Sequence, residues 1–354
     1  MKKEKIGDLY FKLIQLSNKC FVRIKIAYSR YEARKFRKEV ISKKGKKVVN
    51  RQIKRSIKQY AKKRFGSKSY WPYLALYTEI RGRFIEGWLP HDYFRYVLMP
   101  QITTGLSFEM SKYKTFDYQI FDDFALKPLF VYISGMFLNA DFDLFEEEQI
   151  LRILYEYDAT IVIKEDEGLQ GLQVRMIHSS EFKTDTLIPS KSYVIQPYVK
   201  QYKPISDLYA DSVNTFRITT FIRNDGSVEV KFVVLRFGVD GSKVDNLSIG
   251  GQYIYFDLDG KPSNNAYDIK GNDMGERHKN SGYRFADLKI PMFQELLKAC
   301  ISAHRKYPYV RLVSWDVCID DSGKPVLLEW NAGNIGFSMF EYVFGPIFPE
   351  DDIV

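Results

Sequence analysis

Cysteine and histidine are scarce, at three and four residues in 354. Cys20, Cys300 and Cys318 are too scattered for a disulfide framework, and the histidines do not fall at zinc spacings. Disulfide scaffolds and zinc modules are therefore excluded, and the default setting for such a chain is a reducing, cytoplasmic one. Long apolar runs are also missing. The most apolar stretch, "PLFVYISGMFL" (128–138), is interrupted by Ser134 and Gly135 and falls short of the roughly 18 residues of a membrane span. The opening "MKKEKIGDLYFKLIQL" begins basic but has no uninterrupted apolar segment or small-residue cleavage site. No G-x-x-x-x-G-K-[ST] occurs, no G-x-G-x-x-G follows a strand, and G-x-S-x-G is absent. Those absences argue against P-loop, dinucleotide-binding and serine-hydrolase chemistry.

Aromatic residues, by contrast, are plentiful, at 16% within a hydrophobic content of 45%, which suits a globular protein of two or three lobes. Charge is distributed unevenly. Residues 1–68 hold 24 Lys+Arg against 4 Asp+Glu, a net +20; the remainder holds 29 against 40, a net −11, and the two sum to the +9 of the whole chain. A basic arm on an acidic body calls for its own explanation.

Residues 1–66 read as helix with a break in "SKKGKKVVN" around Gly45, and 67–100 as short helices and aromatic turns that dock. From about 101 helices alternate with short strands. "ATIVIKEDEGLQGLQVRMI" (159–177) reads as strand, glycine-containing turn, strand, and "SYVIQPYV" (192–199) as a further strand. "NTFRITTFIRNDGSVEVKFVVLRFG" (214–238) is a hairpin turning at "NDGS", and "PMFQELLKACISAHRKY" (291–307) a helix with Pro291 near its first turn. His178 and His278 read as surface residues.

"LVSWDVCIDDSGKPVLLEWNA" (312–332) is a second hairpin, and it concentrates the chemistry. Alternation puts Val313, Trp315, Val317 and Ile319 on one face and Ser314, Asp316 and Cys318 on the other. On the return strand Glu329 and Asn331 share a face with Leu327, and Val326, Leu328 and Trp330 share the opposite one. A turn near Ser322 sets Asp316 opposite Leu328 or Glu329. The apolar sets pack together, so Asp316, Glu329 and Asn331 converge on one side. Two carboxylates and an amide oxygen are hard ligands suited to Mg²⁺ or Mn²⁺ that shares its coordination with waters and phosphates. Acidic residues on the wet face of a hairpin are the plainer alternative.

The D-x12-E-x-N spacing resembles the metal-binding signature of the ATP-grasp superfamily, and other segments follow that family's pattern in order over about residues 105–340. Lys164 ends a strand ahead of Gly168 and Gly171, where the family has its phosphate-contacting lysine and glycine-containing loop. Lys112 in "MSKYKTFDY" sits where an earlier nucleotide-binding lysine is expected, with Lys114 the alternative. "VIQPYV" resembles the hinge strand lining the adenine, with Gln196 where a glutamate is often found and Tyr198 beside it. Arg217 and Arg236 resemble the arginines that approach phosphates and the reacting carboxylate. "DNLSIGG" is similar to the loop facing the reaction centre, which marks Asn246, Gly250 and Gly251. Read alone, Arg217 is an ordinary strand arginine and Gly250–Gly251 a tight turn. "KEDEGLQG" departs from the pattern, placing Glu165, Asp166 and Glu167 where the family has Pro and small residues.

"SVNTFRI", "NLSIGG" and "WDV…LLEWN" most resemble the sugar-transfer-associated branch, met in surface-polysaccharide gene sets. The resemblance implies an α+β fold with two lobes around ATP: a helical region over 1–100, a nucleotide-binding lobe over 101–205, and a catalytic and metal-binding lobe over 206–354. It implies ATP and Mg²⁺ (or Mn²⁺) as cofactors and an ADP-forming carboxylate–amine ligase. The expected partners are an acidic sugar or polysaccharide carboxylate and an amino acid or amine. A nucleotide-binding component of a polysaccharide assembly complex without ligase activity is the alternative; a nucleic-acid-binding protein using the basic arm ranks below both, and nucleic acid is not an expected partner. The basic arm, with Leu9, Leu13, Leu16 and Cys20 at helical spacing, has four readings: contact with an anionic membrane surface on its inner face, docking on this chain or on a second copy as a homodimer, plain solvation, or binding of an anionic polymer.

Overall fold

The computed structural model describes residues 2–103, 105–167, 174–333 and 335–348, with side chains described from residue 20 onward. Contacts divide the chain into two compact units, Met1–Ile102 with Gly336–Val354, and Thr103–Ile335.

The first unit is helical. Helix α1 (Lys2–Lys44) stops at Gly45, whose φ of 64° ends the helix in the left-handed region. Asn50 then caps α2 (Arg51–Phe65) by accepting from the Ile53 amide. Ile57, Tyr60, Ala61 and Phe65 recur at helical spacing and bury one face of α2. Helix α3 (Trp71–Arg81) carries Pro72 in its first turn, where the missing amide costs nothing. Two buried carboxylates tie the helices together. Asp92 takes Arg30 at 2.6 Å, and Glu79 takes Arg37 at 2.6 Å and the Val48 amide at 2.7 Å. The C-terminal helix Ser338–Phe344 belongs to this unit. Its Glu341 accepts from the Leu89 and Ile347 amides, and burial pushes its carboxyl up to about 8. Residues 336–348 thus cluster with the N-terminal helices, whereas the sequence reading grouped them with the second lobe.

The second unit is α+β, with two antiparallel sheets. The first holds β1 (Phe130–Ile133), β2 (Met136–Leu138), β3 (Leu144–Phe145), β4 (Thr160–Glu165), β5 (Val174–His178) and β6 (Tyr193–Pro197) in the order β3-β2-β1-β6-β4-β5. Helix α4 (Glu147–Tyr157) covers it through Ile150 and Leu154, which join Phe130, Ile161, Ile163 and Ile195 in one cluster. The second sheet holds β7 (Thr215–Ile222), β8 (Val228–Phe237), β9 (Gln252–Phe256), β10 (Leu312–Ile319) and β11 (Pro325–Asn331) in the order β11-β10-β7-β8-β9. Gly226, at φ 81°, supplies the turn between β7 and β8. Helix α5 (Phe293–Lys306) packs Phe293, Leu296, Leu297 and Cys300 against Phe216, Ile218, Trp315 and Val317. The rings of Trp315 and Trp330 stack at 6.1 Å within this core.

A β-bulge changes the expected phase of the last hairpin. Asp316 pairs with Glu329, but Val317 pairs with Leu327, so Leu328 is the extra residue on β11. Leu327 consequently enters the same core as Trp330, and Val326 packs with Cys318 in a separate cluster. Strict alternation had put Leu327 with the carboxylate. The insertion of one residue reverses faces because the strand period is two. His278 also departs from expectation. It is buried and its Nε2 lies 3.0 Å from the Gly238 carbonyl, so it anchors a loop. Among the described residues no helix is long and apolar enough to cross a membrane.

Candidate active site

One face of the second sheet is spent on the core, and the other collects charge. Cross-strand pairing sets Arg217 of β7 beside Asp316 of β10, Asp316 beside Glu329 of β11, Ser314 beside Asn331, and Thr215 beside Arg236 of β8. Paired residues share a face, so these side chains converge. Arg217 donates to both Asp316 oxygens, Nε at 2.9 Å and Nη2 at 2.8 Å. Arg236 Nη2 lies 3.2 Å from Asp316 and 3.3 Å from Asp245, and it donates to Thr215 Oγ1 at 2.5 Å. Thr215 in turn donates to Asp245 from its amide, at 3.2 Å, and from its hydroxyl. Burial pushes the Asp316 carboxyl up, but Arg217 and Arg236 outweigh it and hold the group below its ordinary value. Burial also works against the Arg217 charge, yet Asp316, Glu329 and Asp245 raise its pKa overall. Asp245 goes the other way: burial raises it and Arg236 only partly compensates.

The bulge serves the site as well. Lys164 at the end of β4 donates from Nζ to the Leu328 carbonyl at 3.2 Å, so a lysine of the first sheet reaches the bulged turn of the second. Burial pulls its ammonium down, Glu329 and Asp117 favour it, and Lys114 opposes it. Lys114 is buried with Nζ 3.4 Å from the Glu165 carbonyl. Lys112 is exposed and paired with Glu109. Of the two lysines in "MSKYKTFDY", geometry therefore brings Lys114 to Lys164 and leaves Lys112 outside. Asp117 closes the cluster. It accepts from Trp330 Nε1 at 2.9 Å, and burial drives its carboxyl up to about 8 against the pull of Trp330 and Lys114.

In the acidic run after Lys164, Glu165 and Asp166 are each partnered. Glu165 pairs with Lys191 at 2.6 Å, and Asp166 accepts from the Thr115 amide and hydroxyl at 3.1 and 2.7 Å. Gly168 and Gly171 lie outside the described residues. Gln196, in the middle of β6, donates to the Leu126 carbonyl at 3.2 Å, while its buried Oε1 has no partner among the described residues. Tyr198 follows the strand, half-buried, its amide bonded to the Thr160 carbonyl. Asn246 caps a 3₁₀ turn by accepting from the Ser248 amide at 2.8 Å. Gly250 has a φ of 107°, and a Cβ on Gly251 would lie 2.8 Å from the Asp245 and Asn246 carbonyls. The glycine pair is thus a tight turn that hangs directly from the Asp245 that faces Arg236.

The residues fit a divalent cation. The Asn331 Nδ2 end is buried without a partner among the described residues, and an amide flip offers an oxygen there. The Glu329 carboxylate makes no hydrogen bond or ion pair among the described residues. No cluster of three or more His, Cys, Asp or Glu positioned for a metal occurs among the described residues. A closed structural site is therefore not indicated, and the set suits an ion that takes further ligands from phosphate and water.

Alternation in the last hairpin pointed to Asp316, Glu329 and Asn331, and the family resemblance to Lys164, Arg217 and Arg236; neither pointed to Asp117, Thr215 and Asp245, which the structure brings beside them. Asp245 stood next to the marked Asn246, but nothing in the local pattern says that an Arg and a Thr would turn to it.

Residues 147–348 match the family described as sugar-transfer associated ATP-grasp. No curated protein matches the chain. Among solved structures, N5-carboxyaminoimidazole ribonucleotide synthetase from Thermotoga maritima is similar at 10% identity over 64% of this chain and 43% of that one, with a TM-score of 0.37. An L-amino acid ligase from Bacillus licheniformis is similar at 15% identity over 66% and 43%, with a TM-score of 0.37. Biotin carboxylase from Campylobacter jejuni is similar at 10% identity over 68% and 46%, with a TM-score of 0.40. The chain spans less than half the length of each. The family match extends over more than half of the 354 residues, and the chain belongs to the sugar-transfer-associated ATP-grasp family, with its fold.

Proposed function

We propose that the protein is an ATP-dependent carboxylate–amine ligase that activates an acid as its acyl-phosphate and releases ADP. The observation that carries this reading is the convergence of Arg217 and Arg236 on Asp316, with Glu329 in register beside it and Lys164 reaching the bulge at Leu328. Arg217 and Arg236 already have Asp316, but the Lys164 and Lys114 ammonium groups reach backbone carbonyls and the Glu329 carboxylate has no hydrogen bond among the described residues, which leaves charge of both signs for a ligand to answer. A triphosphate with a divalent ion is such a ligand.

Lys164 and Lys114 hold phosphate oxygens as point charges. Gln196 turns its unpartnered Oε1 toward an adenine amino group, with Tyr198 alongside. Asp316, Glu329 and Asn331 would hold Mg²⁺ or Mn²⁺, which supplies charge neutralisation as the γ-phosphoryl transfers. Arg236 and Arg217 then face the transferring phosphoryl group and the oxyanion of the tetrahedral intermediate. The Asn246–Gly251 turn sets the wall of the acceptor side, with Asp245 fixing Arg236 in place. The acid is an acidic sugar or a polysaccharide carboxylate, and an amino acid or amine attacks the acyl-phosphate carbon, displacing inorganic phosphate and forming the amide. We assign the reaction to the cytoplasmic side, where ATP is at hand, and to surface-polysaccharide assembly.

The test is ADP release in Mg²⁺ with uronic-acid sugars and an amine series. Turnover that needs both an acid and an amine supports the reading. Nucleotide binding without acid-dependent ADP release reduces the protein to a nucleotide-binding component.

A further inference from the structure

Helix α1 presents a second surface that the ligase site does not use. Ser29, Ala33 and Val40 are buried and mark its packed side. Phe21, Ile24, Tyr28 and Tyr31 recur at spacings of three, four and three residues and are 56, 60, 65 and 59% exposed. At 100° per residue they form one stripe on the side away from the packed residues. Four large side chains aligned in this way are a surface patch, not scattered exposure.

Cations border the stripe. Lys25 Nζ lies 4.3 Å from the centre of the Phe21 ring. One turn beyond Tyr31, Arg34 meets the Trp71 ring at 5.9 Å, and Lys54 and Lys58 of α2 lie over the same ring at 4.5 and 5.8 Å. None of Arg34, Lys54 and Lys58 forms an ion pair among the described residues. Three cations around one indole, within a segment of net +20, call for an external anion.

We propose that this face docks the protein on a bilayer containing anionic lipid. The aromatic and aliphatic stripe enters the boundary between headgroups and acyl chains, and Arg34, Lys54 and Lys58 meet lipid phosphates. A soluble polyanion would need the cations but not Ile24 or the ring stripe. A second copy pairing arm to arm would set +20 against +20, which is repulsive, and one presenting its acidic remainder would meet the cations without accounting for the apolar stripe. The inference is independent of the ligase reading.

Full-length protein is tested by co-sedimentation with phosphatidylcholine vesicles, with and without phosphatidylglycerol. Two triple variants are compared: Phe21→Ser with Ile24→Ser and Tyr28→Ser, and Arg34→Gln with Lys54→Gln and Lys58→Gln. Circular dichroism verifies their helix content. The wild type should bind anionic vesicles, release them at high salt, and ignore neutral ones. The charge variant should lose about 100-fold in apparent affinity, and the apolar variant about tenfold or more. Equal binding to both vesicle types, or no loss in either variant, overturns the proposal. Negligible vesicle binding by the wild type does so without any variant. Binding of dextran sulfate without vesicle binding assigns the face to a soluble polyanion, and a dimer in light scattering that the apolar variant abolishes assigns it to a second copy; both results overturn it.

Discussion

Asp316→Asn separates the structural load of the charged face from its chemistry. The substitution keeps shape and removes the charge that Arg217 grips at 2.9 and 2.8 Å and Arg236 approaches at 3.2 Å. Asp316 is buried, so its loss strands two guanidinium groups. Removing one partner of a buried pair costs about 3–5 kcal/mol. Asn can still accept one N–H, and Arg236 retains Asp245 at 3.3 Å, so the lower end, about 3 kcal/mol, is expected. Urea unfolding reads the loss, and a cycle with Arg217→Met isolates the pair. Because the folded Asp316 carboxyl sits below its ordinary value, its contribution is whole above an unfolded pKa of about 3.9 and fades as pH falls toward the lower folded value. The Asn variant should lack that acid-side slope. Strict additivity with Arg217→Met, or wild-type stability at neutral pH, refutes the ion pair as a structural element.

Four further outcomes follow from the same geometry. Lys164→Met and Lys114→Met should each weaken ATP binding by about 1.5–3 kcal/mol in calorimetry. Lys112→Met, on the exposed lysine paired with Glu109, should leave it unchanged. Gly251→Ala should lose turnover while retaining nucleotide binding, because a Cβ would lie 2.8 Å from the Asp245 and Asn246 carbonyls. His304, held by Thr220 at 2.7 Å and the Val310 carbonyl at 2.8 Å, is pulled down to about 4 by burial. Its contribution to stability is whole above an unfolded pKa of about 6.5 and is lost as pH falls toward about 4. His304→Gln should flatten thermal stability over that window.

The hairpins, helix α5 and the face to which Asp316 turns were legible because alternation and turn residues are local properties. The Leu328 bulge was not, since an extra residue in a strand leaves no mark in an apolar run such as "PVLLEW". The choice between Lys112 and Lys114 also depended on packing. The Lys114 ammonium lies 3.4 Å from the Glu165 carbonyl, next to Lys164, whereas Lys112 turns to Glu109, and only the folded chain shows this. Asp117 is joined to the site through the indole of Trp330, 213 residues away in sequence, a contact that no local pattern contains. The acidic run stood out in sequence as a departure from the family pattern, and the Lys191 and Thr115 that answer Glu165 and Asp166 come from elsewhere in the chain.

The central claim is carboxylate activation at the Asp316–Glu329 face, and trapping with hydroxylamine tests it most directly. Wild-type protein with ATP, Mg²⁺, hydroxylamine and a panel of uronic-acid sugars should yield a hydroxamate with one of them. ADP should form in equal amount, and Glu329→Gln should produce neither. Formation of AMP in place of ADP, or undiminished hydroxamate from Glu329→Gln, would contradict the account.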